Sequence, residues 1–189
     1  MSQPVVQITL PDWVDSAVDW ERPYRGDEAK VALAIELARE NVRHDTGGPF
    51  GSAVFERDSG RLVAVGVNRV LPLNNSVLHA EIVAFMMAQQ RVGSYTLGAP
   101  NLPRHELATS CDPCAMCLGA ALWSGVKRVV CGATREDAMA LNFDEGPVFP
   151  ESFDYMARRG VEVVRGVLRE EGAAVLRMYV ERSGEIYNG

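Results

Sequence analysis

The chain has 189 residues and a formal net charge of −6, with 19 Lys and Arg against 25 Asp and Glu. That length suits one domain with a sizeable buried core. The apolar and charged fractions, 47% and 23%, are ordinary for a globular chain and exclude a fibrous or disordered one. Lys30 and Lys127 are the only lysines, and the acidic balance argues against a binder of the nucleic-acid backbone.

No charged segment followed by an apolar run opens the chain, and no stretch is apolar enough to span a membrane, so a cytoplasmic location is expected. Thiols stay reduced there, and the four cysteines favour metal binding over disulfides. Residues 1–26 read as an N-terminal extension packed on the domain through Trp13 and Trp20. Residues 27–182 read as the domain itself, and 183–189 as a C-terminal tail. A first long helix is predicted from Asp27 to His44, with Val31, Ala34, Ile35, Ala38 and Val42 on one stripe. His44 ends it in a structural role. Gly47-Gly48-Pro49 breaks the helix. Two strands follow, Ser52–Arg57 and Leu62–Asn68, joined by a hairpin turn at Asp58-Ser59-Gly60. A loop over 69–78 leads to a helix from His79 to Val92, stopped at Gly93. A strand over Glu106–Thr109, a helix from Pro113 to Ser124 and a strand over Lys127–Gly132 come next. A short helical piece (Arg135–Ala140), a loop through Phe143-Asp144-Glu145-Gly146-Pro147, and a helix over Ser152–Arg159 precede a fifth strand, Val161–Val167. A final helix runs from Arg169 to Val180. Helix, two strands, then alternating helix and strand predicts a three-layer α/β/α domain with a mixed five-stranded sheet.

The chemistry concentrates in two short stretches, His79-Ala80-Glu81 and Pro113-Cys114-Ala115-Met116-Cys117. Each alone is a weak signal, since Cys114 and Cys117 would also suit a redox dithiol. A dithiol, however, gives His79 and Glu81 no task. Together the stretches supply three zinc ligands, His79, Cys114 and Cys117, and leave a fourth tetrahedral position free, as catalytic zinc sites do. Asp112 suits an N-cap and Pro113 a first helical position, placing both cysteines in a first turn whose dipole favours thiolate. Cys111 reads as a buried turn residue and Cys131 as core.

The H-x-E…P-C-x-x-C order is that of zinc nucleobase deaminases. On these residues the chain resembles the cytidine deaminase-like zinc deaminases, and within them the guanine deaminases, over roughly residues 27–160. The resemblance implies an α/β/α cytidine deaminase-like fold, a Zn²⁺ cofactor, a free purine base as substrate, no nucleic-acid or membrane partner, and a homodimer. It implies hydrolytic deamination of guanine to xanthine and ammonia; a small planar ring with the same edge, including an aminotriazine such as ammeline, is expected to be turned over too. Glu81 would be the acid/base that moves a proton from water to a ring nitrogen, and Glu145 the acid that serves the leaving amine. Glu145 stands where guanine deaminases carry Asp, and Asn75-Ser76-Val77-Leu78 departs from the Asp-Pro-Thr-Ala often found before the His. Phe50 and Phe143 are expected to stack on the base, Asn68 to read its edge and the Ala80 amide to orient it. A tRNA adenosine deaminase or a cytosine-type nucleobase or nucleoside deaminase is the alternative, and the scarcity of lysine weighs against the first. A purely structural zinc would need a fourth protein ligand, which the spacing does not supply.

Overall fold

The computed structural model describes residues 3–188. The N-terminal extension carries one short helix, α1 (Val14–Ala17). It docks through Val14, Val18 and Tyr24, all buried. The long helix α2 (Asp27–Arg43) follows. Strands β1 (Gly51–Glu56) and β2 (Leu62–Val67) form an antiparallel hairpin. Then come α3 (Ala80–Val92), β3 (His105–Cys111), α4 (Ala115–Ser124), β4 (Arg128–Ala133), α5 (Arg135–Met139), α6 (Pro150–Arg158), β5 (Glu162–Val164) and α7 (Arg169–Glu181).

The sheet order is β2-β1-β3-β4-β5. β1 is antiparallel to both β2 and β3, whereas β3, β4 and β5 are parallel. The sheet is therefore mixed and five-stranded, as expected. Helices α2 and α7 pack on one face, and α3 and α4 lie on the other. Strand residues alternate between the two cores. Ala53, Phe55, Ala108 and Val130 point to the α2 side, whereas Val54, Leu107, Val129 and Cys131 point to the other. The central strands are consequently buried on both faces and read as near-continuous apolar runs.

Three expectations fail in detail. Strand β5 spans three residues, not seven, because Arg165 and Gly166 leave the sheet; Gly166 has φ +78° and Arg165 turns inward to Asp112. The helix expected from Pro113 begins at Ala115, with Cys114 in the N-cap position at ψ 173°. Asp112 does not cap it. Its Oδ2 accepts instead from the Arg135 amide (3.1 Å) and from Arg165 Nε (2.8 Å). Those charge-assisted partners outcompete a helix amide.

Gly66 explains how tightly α3 sits on the sheet. A Cβ there would fall 2.2 Å from the Ala80 carbonyl oxygen and 2.4 Å from the Ala84 nitrogen. Only glycine allows β2 to approach the start of the helix so closely.

Candidate active site

His79 is the N-cap of α3, with an extended backbone, and its carbonyl accepts from Val83 (3.0 Å). Ala80 and Glu81 are the first two helical residues, both buried. Across from them, α4 starts at the end of β3, with Cys114 at its N-cap and Cys117 in its first turn. The neighbouring loop is drawn in because the Ala115 amide, which has no intrahelical acceptor, donates to the Glu145 carbonyl at 3.0 Å. Glu145 is thereby carried to the site and buried there, although it lies 28 residues beyond Cys117 in sequence.

His79, Cys114 and Cys117 come together as expected. Their ligating atoms lie within 4.8 Å of one another, and His79 Nδ1 is 3.5 Å from Cys114 Sγ. The Cys114 thiol is pushed down to about 4, first by its hydrogen bond with Cys117 and then by His79. Cys117 is pushed well up, by the Cys114 thiolate and by burial. Burial opposes protonation of His79, but the hydrogen bond to Cys114 and the Glu81 charge carry its pKa upward overall. One imidazole and two soft sulfurs, converging with no fourth protein ligand among the described residues, fit a zinc ion that keeps a position open. Cys111 and Cys131 stay outside the cluster. Both are buried, with thiols pushed well up by desolvation, and Cys111 Sγ faces the Thr134 carbonyl at 3.6 Å. His44 stacks on Trp13 with ring centroids 5.6 Å apart, and His105 Nδ1 bonds the Leu97 carbonyl at 2.8 Å, so both are structural.

Two carboxyls face the triad. Glu81 is pushed up to about 7, by burial and then by the Cys114 thiolate. Glu145 is pushed up to about 8, by burial and then by the charges of Cys114 and Glu81. A divalent cation in the triad would draw both back down. Carboxyls poised in this range are suited to giving and taking protons at neutral pH.

Phe50 and Phe143 meet edge to face, with centroids 5.2 Å apart, and both border a small void of about 30 Å³ with His79, Glu81, Cys114 and Glu145. A larger cleft of about 920 Å³ shares His79, Cys114 and Glu145 with it. Among the described residues Asn68 and Ala80 border neither space, for both are completely buried. The Asn68 carbonyl oxygen Oδ1 accepts from the Gly48 amide (3.4 Å) and the Val70 amide (3.2 Å), which turns the buried donor Nδ2 toward the Tyr187 hydroxyl.

Tyr187 is a residue that sequence reasoning missed. It borders both spaces, packs edge to face on Phe143 at 5.9 Å, and its buried hydroxyl faces the Asn68 side chain. The tail that bears it is pinned down. Asn188 accepts from the Asp144 amide (2.9 Å) and donates to the Asn142 carbonyl (2.7 Å), and Tyr179 donates to the Glu185 carbonyl (2.7 Å). No motif or periodicity in 183–189 signals this; only the fold brings the tail to the site.

The family described as the cytidine and deoxycytidylate deaminase zinc-binding region matches residues 25–133, which include all three ligands and Glu81. A guanine deaminase from Bacillus subtilis (strain 168) is 37% identical over 124 residues, covering 66% of this chain and 75% of that protein. A tRNA-specific adenosine deaminase from Haemophilus influenzae is 30% identical over 159 residues, covering 84% and 86%. Among solved structures, the guanine deaminase from Nitrosomonas europaea superposes with a TM-score of 0.89 at 42% identity, covering 95% of this chain and 98% of that one. The ligand triad, the two perturbed carboxyls and these likenesses lead to one conclusion: the chain belongs to the family of zinc-dependent cytidine and deoxycytidylate deaminase-type enzymes.

Proposed function

We propose that the protein is a zinc-dependent hydrolase that deaminates guanine to xanthine and ammonia. The observation that carries this reading is the pairing of an open three-ligand metal site with two buried carboxyls, Glu81 and Glu145, on a chain that aligns with a guanine deaminase over nearly its whole length. His79, Cys114 and Cys117 would hold the ion. When bound, zinc acidifies water toward neutrality and so supplies a nucleophile.

The rest of the chemistry falls to side chains. As water oxygen bonds to the amino-bearing carbon, Glu81 accepts one of its protons and hands it to the adjacent ring nitrogen. Protonated Glu145 then donates to the amino group while the carbon–nitrogen bond breaks, and the electron pair leaves with ammonia. The new carbonyl forms as its hydroxyl proton returns to Glu145. In net balance the ring nitrogen and ammonia each gain one proton, water supplies both, and Glu145 ends protonated as it began. Asn68 Nδ2, which faces the Tyr187 hydroxyl, would meet a base carbonyl once that hydroxyl gives way; adenine lacks the carbonyl, and a buried donor left unmet rejects such a base strongly. Phe50 and Phe143 would supply ring faces, and the first-turn amide of Ala80, which lacks an intrahelical acceptor, would supply a further donor. The void of about 30 Å³ has room for no more than about one water, so a base would also need the adjoining cleft, which Tyr187 borders as well.

The test is ammonia release from guanine, adenine, cytosine, cytidine and ammeline under identical conditions. Guanine is expected to react fastest, with ammeline also turned over because it presents a similar edge. Faster release from adenine, cytosine or cytidine would overturn the reading.

Purine breakdown in the cytoplasm, without a nucleic-acid partner, is consistent with a free-base substrate and an acidic chain. We also propose a homodimer. An apolar groove of about 410 Å³ between α4 and α6, lined by Leu118, Leu122, Val148, Tyr155 and Met156, offers it a surface, and Trp123 and Phe149 of the same segments are exposed. Light scattering on the purified protein reads the assembly directly.

A further inference from the structure

We propose that a hydrogen-bonded chain running from the N-terminal extension, Trp13–Thr46–Asn41, positions Asn68 and so sets how well the base is read; this rests on the reading of Asn68 as a base-facing donor. The chain is continuous and has one direction. Trp13 Nε1 donates to Thr46 Oγ1 at 3.0 Å. Thr46 Oγ1 donates its only proton to Asn41 Oδ1 at 2.8 Å. Asn41 Nδ2 then donates to two main-chain carbonyls, Gly48 at 2.9 Å and Asn68 at 3.0 Å. Asn41 sits on α2 with no solvent exposure, and both ends of its amide are occupied. Reversing that amide would set its carbonyl oxygen against two carbonyls, so those carbonyls fix which way it points, and the Thr46 hydroxyl anchors the oxygen at the other end.

Apart from the Val70 amide, which also donates to its side-chain oxygen, the hydrogen bonds that hold Asn68 come from Asn41 or from the segment that Asn41 holds. The Asn68 amide donates to Phe50 O at 3.0 Å, and its side-chain oxygen accepts from the Gly48 amide. Phe50 N in turn donates to Gly48 O at 2.8 Å. The fit has no slack. A Cβ on Gly47 would lie 1.9 Å from Asn68 O and 2.7 Å from Asn41 Nδ2, and a Cβ on Gly48 would lie 1.9 Å from the Tyr187 hydroxyl. A hydrogen bond weakens steeply as its angle departs from linear, so small displacements of Asn68 change what its Nδ2 can do. Asn41 and Thr46 are thus positioning residues that act through Asn68. Trp13, the origin of the chain, lies outside the residues that the family description matches.

Thr46→Val keeps the shape of the side chain but removes both hydrogen bonds of the hydroxyl; Thr46→Ser keeps the hydroxyl; Trp13→Phe removes only the indole N–H while leaving an aromatic ring. Each is assayed as the full-length zinc-loaded protein, with guanine and with 2-aminopurine, which lacks the ring carbonyl. The expected result for Thr46→Val is a KM for guanine raised about tenfold, the scale of one hydrogen bond. Its preference for guanine over 2-aminopurine should narrow by a similar factor, with zinc content unchanged. Thr46→Ser should restore both, and Trp13→Phe should move them in the same direction by less. Amide hydrogen exchange supplies a readout that needs no substrate: in Thr46→Val it should quicken at residues 46–50 and 68–70 and nowhere else. Unchanged KM and selectivity, or an equal loss toward both bases with a uniformly quicker exchange, would overturn the proposal. A wild-type protein that releases no ammonia from guanine would sink the functional reading instead; local quickening at 68–70 would still uphold the positioning chain, and its absence would reject it.

Discussion

The Arg165 guanidinium donates through Nε, at 2.8 Å, to Asp112 Oδ2, two residues before the ligand Cys114. The Asp112 side chain is 1% exposed and that of Arg165 36%, so the carboxylate is the buried partner. Arg165→Met leaves that charge with only the Arg135 amide. The expected cost is about 1–3 kcal/mol of stability, the range for a buried polar group left short of a partner. Zinc should also be held less tightly, because the turn leading to Cys114 loosens. Chemical denaturation and competition with a chelator measure the two effects.

Gly66→Ala tests whether the approach of β2 to α3 matters to the site. The added carbon meets backbone at 2.2 Å and 2.4 Å, so side-chain movement cannot relieve it. Overpacking of this kind costs about 1–3 kcal/mol. Because the obstructing atoms belong to the turn that carries His79 and Glu81, a fall in zinc affinity should accompany the lower melting temperature.

The ligand set predicts contrasting cysteine variants. Cys114→Ala should lose zinc, whereas Cys111→Ala, which changes a buried thiol outside the cluster, should keep one ion per chain. Elemental analysis distinguishes them, and active zinc-free protein would sink the assignment.

Glu81→Gln and Glu145→Gln should both retain zinc and both lose turnover, by roughly 10²–10⁴ each if they transfer protons. The loss should fall on kcat for Glu145→Gln, since the amide keeps hydrogen bonding while removing the acid. Glu145→Asp should keep partial activity. Wild-type kcat in either glutamine variant with zinc bound would remove that residue from the mechanism.

Asp137 gives a pH signature away from the site. Its carboxyl is held below the usual range, first by Arg169 and further by Thr134 in the cap of α5. A carboxyl lowered on folding stabilises the folded state above its unfolded value and loses that contribution as pH falls. Asp137→Asn should therefore melt earlier than wild type at pH 7. The gap should narrow below about pH 4, the ordinary Asp range. A gap that persists unchanged into acid would show that charge is not its origin.

The metal triad and Glu81 were legible because a zinc site needs particular residue types at fixed spacing, and helix starts hold that spacing. The succession of helices and strands also followed, since apolar runs and glycine breaks alternate clearly along the chain; the order of the strands within the sheet did not. Asp112 was misread because an N-cap is a local inference, whereas its actual partner, Arg165, lies 53 residues away. Strand β5 was overextended because Val161 to Val167 has strand-like residues throughout, and only the inward turn of Arg165 ends the pairing. Asn68 was legible as a polar residue at a strand end, but not the use of its oxygen by two backbone amides. Tyr187 carried no signal, since an aromatic in a short polar tail looks the same whether it is docked or solvated.

His79 and Cys114 stand 35 residues apart, on the two crossovers that flank β3. An ion held between them is a reversible cross-link as well as a reagent. It closes a loop that the chain alone must close at an entropic cost, much as a disulfide would. Folding and metal uptake are therefore linked equilibria, and part of the affinity for zinc is drawn from ordering the two helix starts. The same few atoms that perform the chemistry also fasten the hairpin side of the sheet to its parallel side.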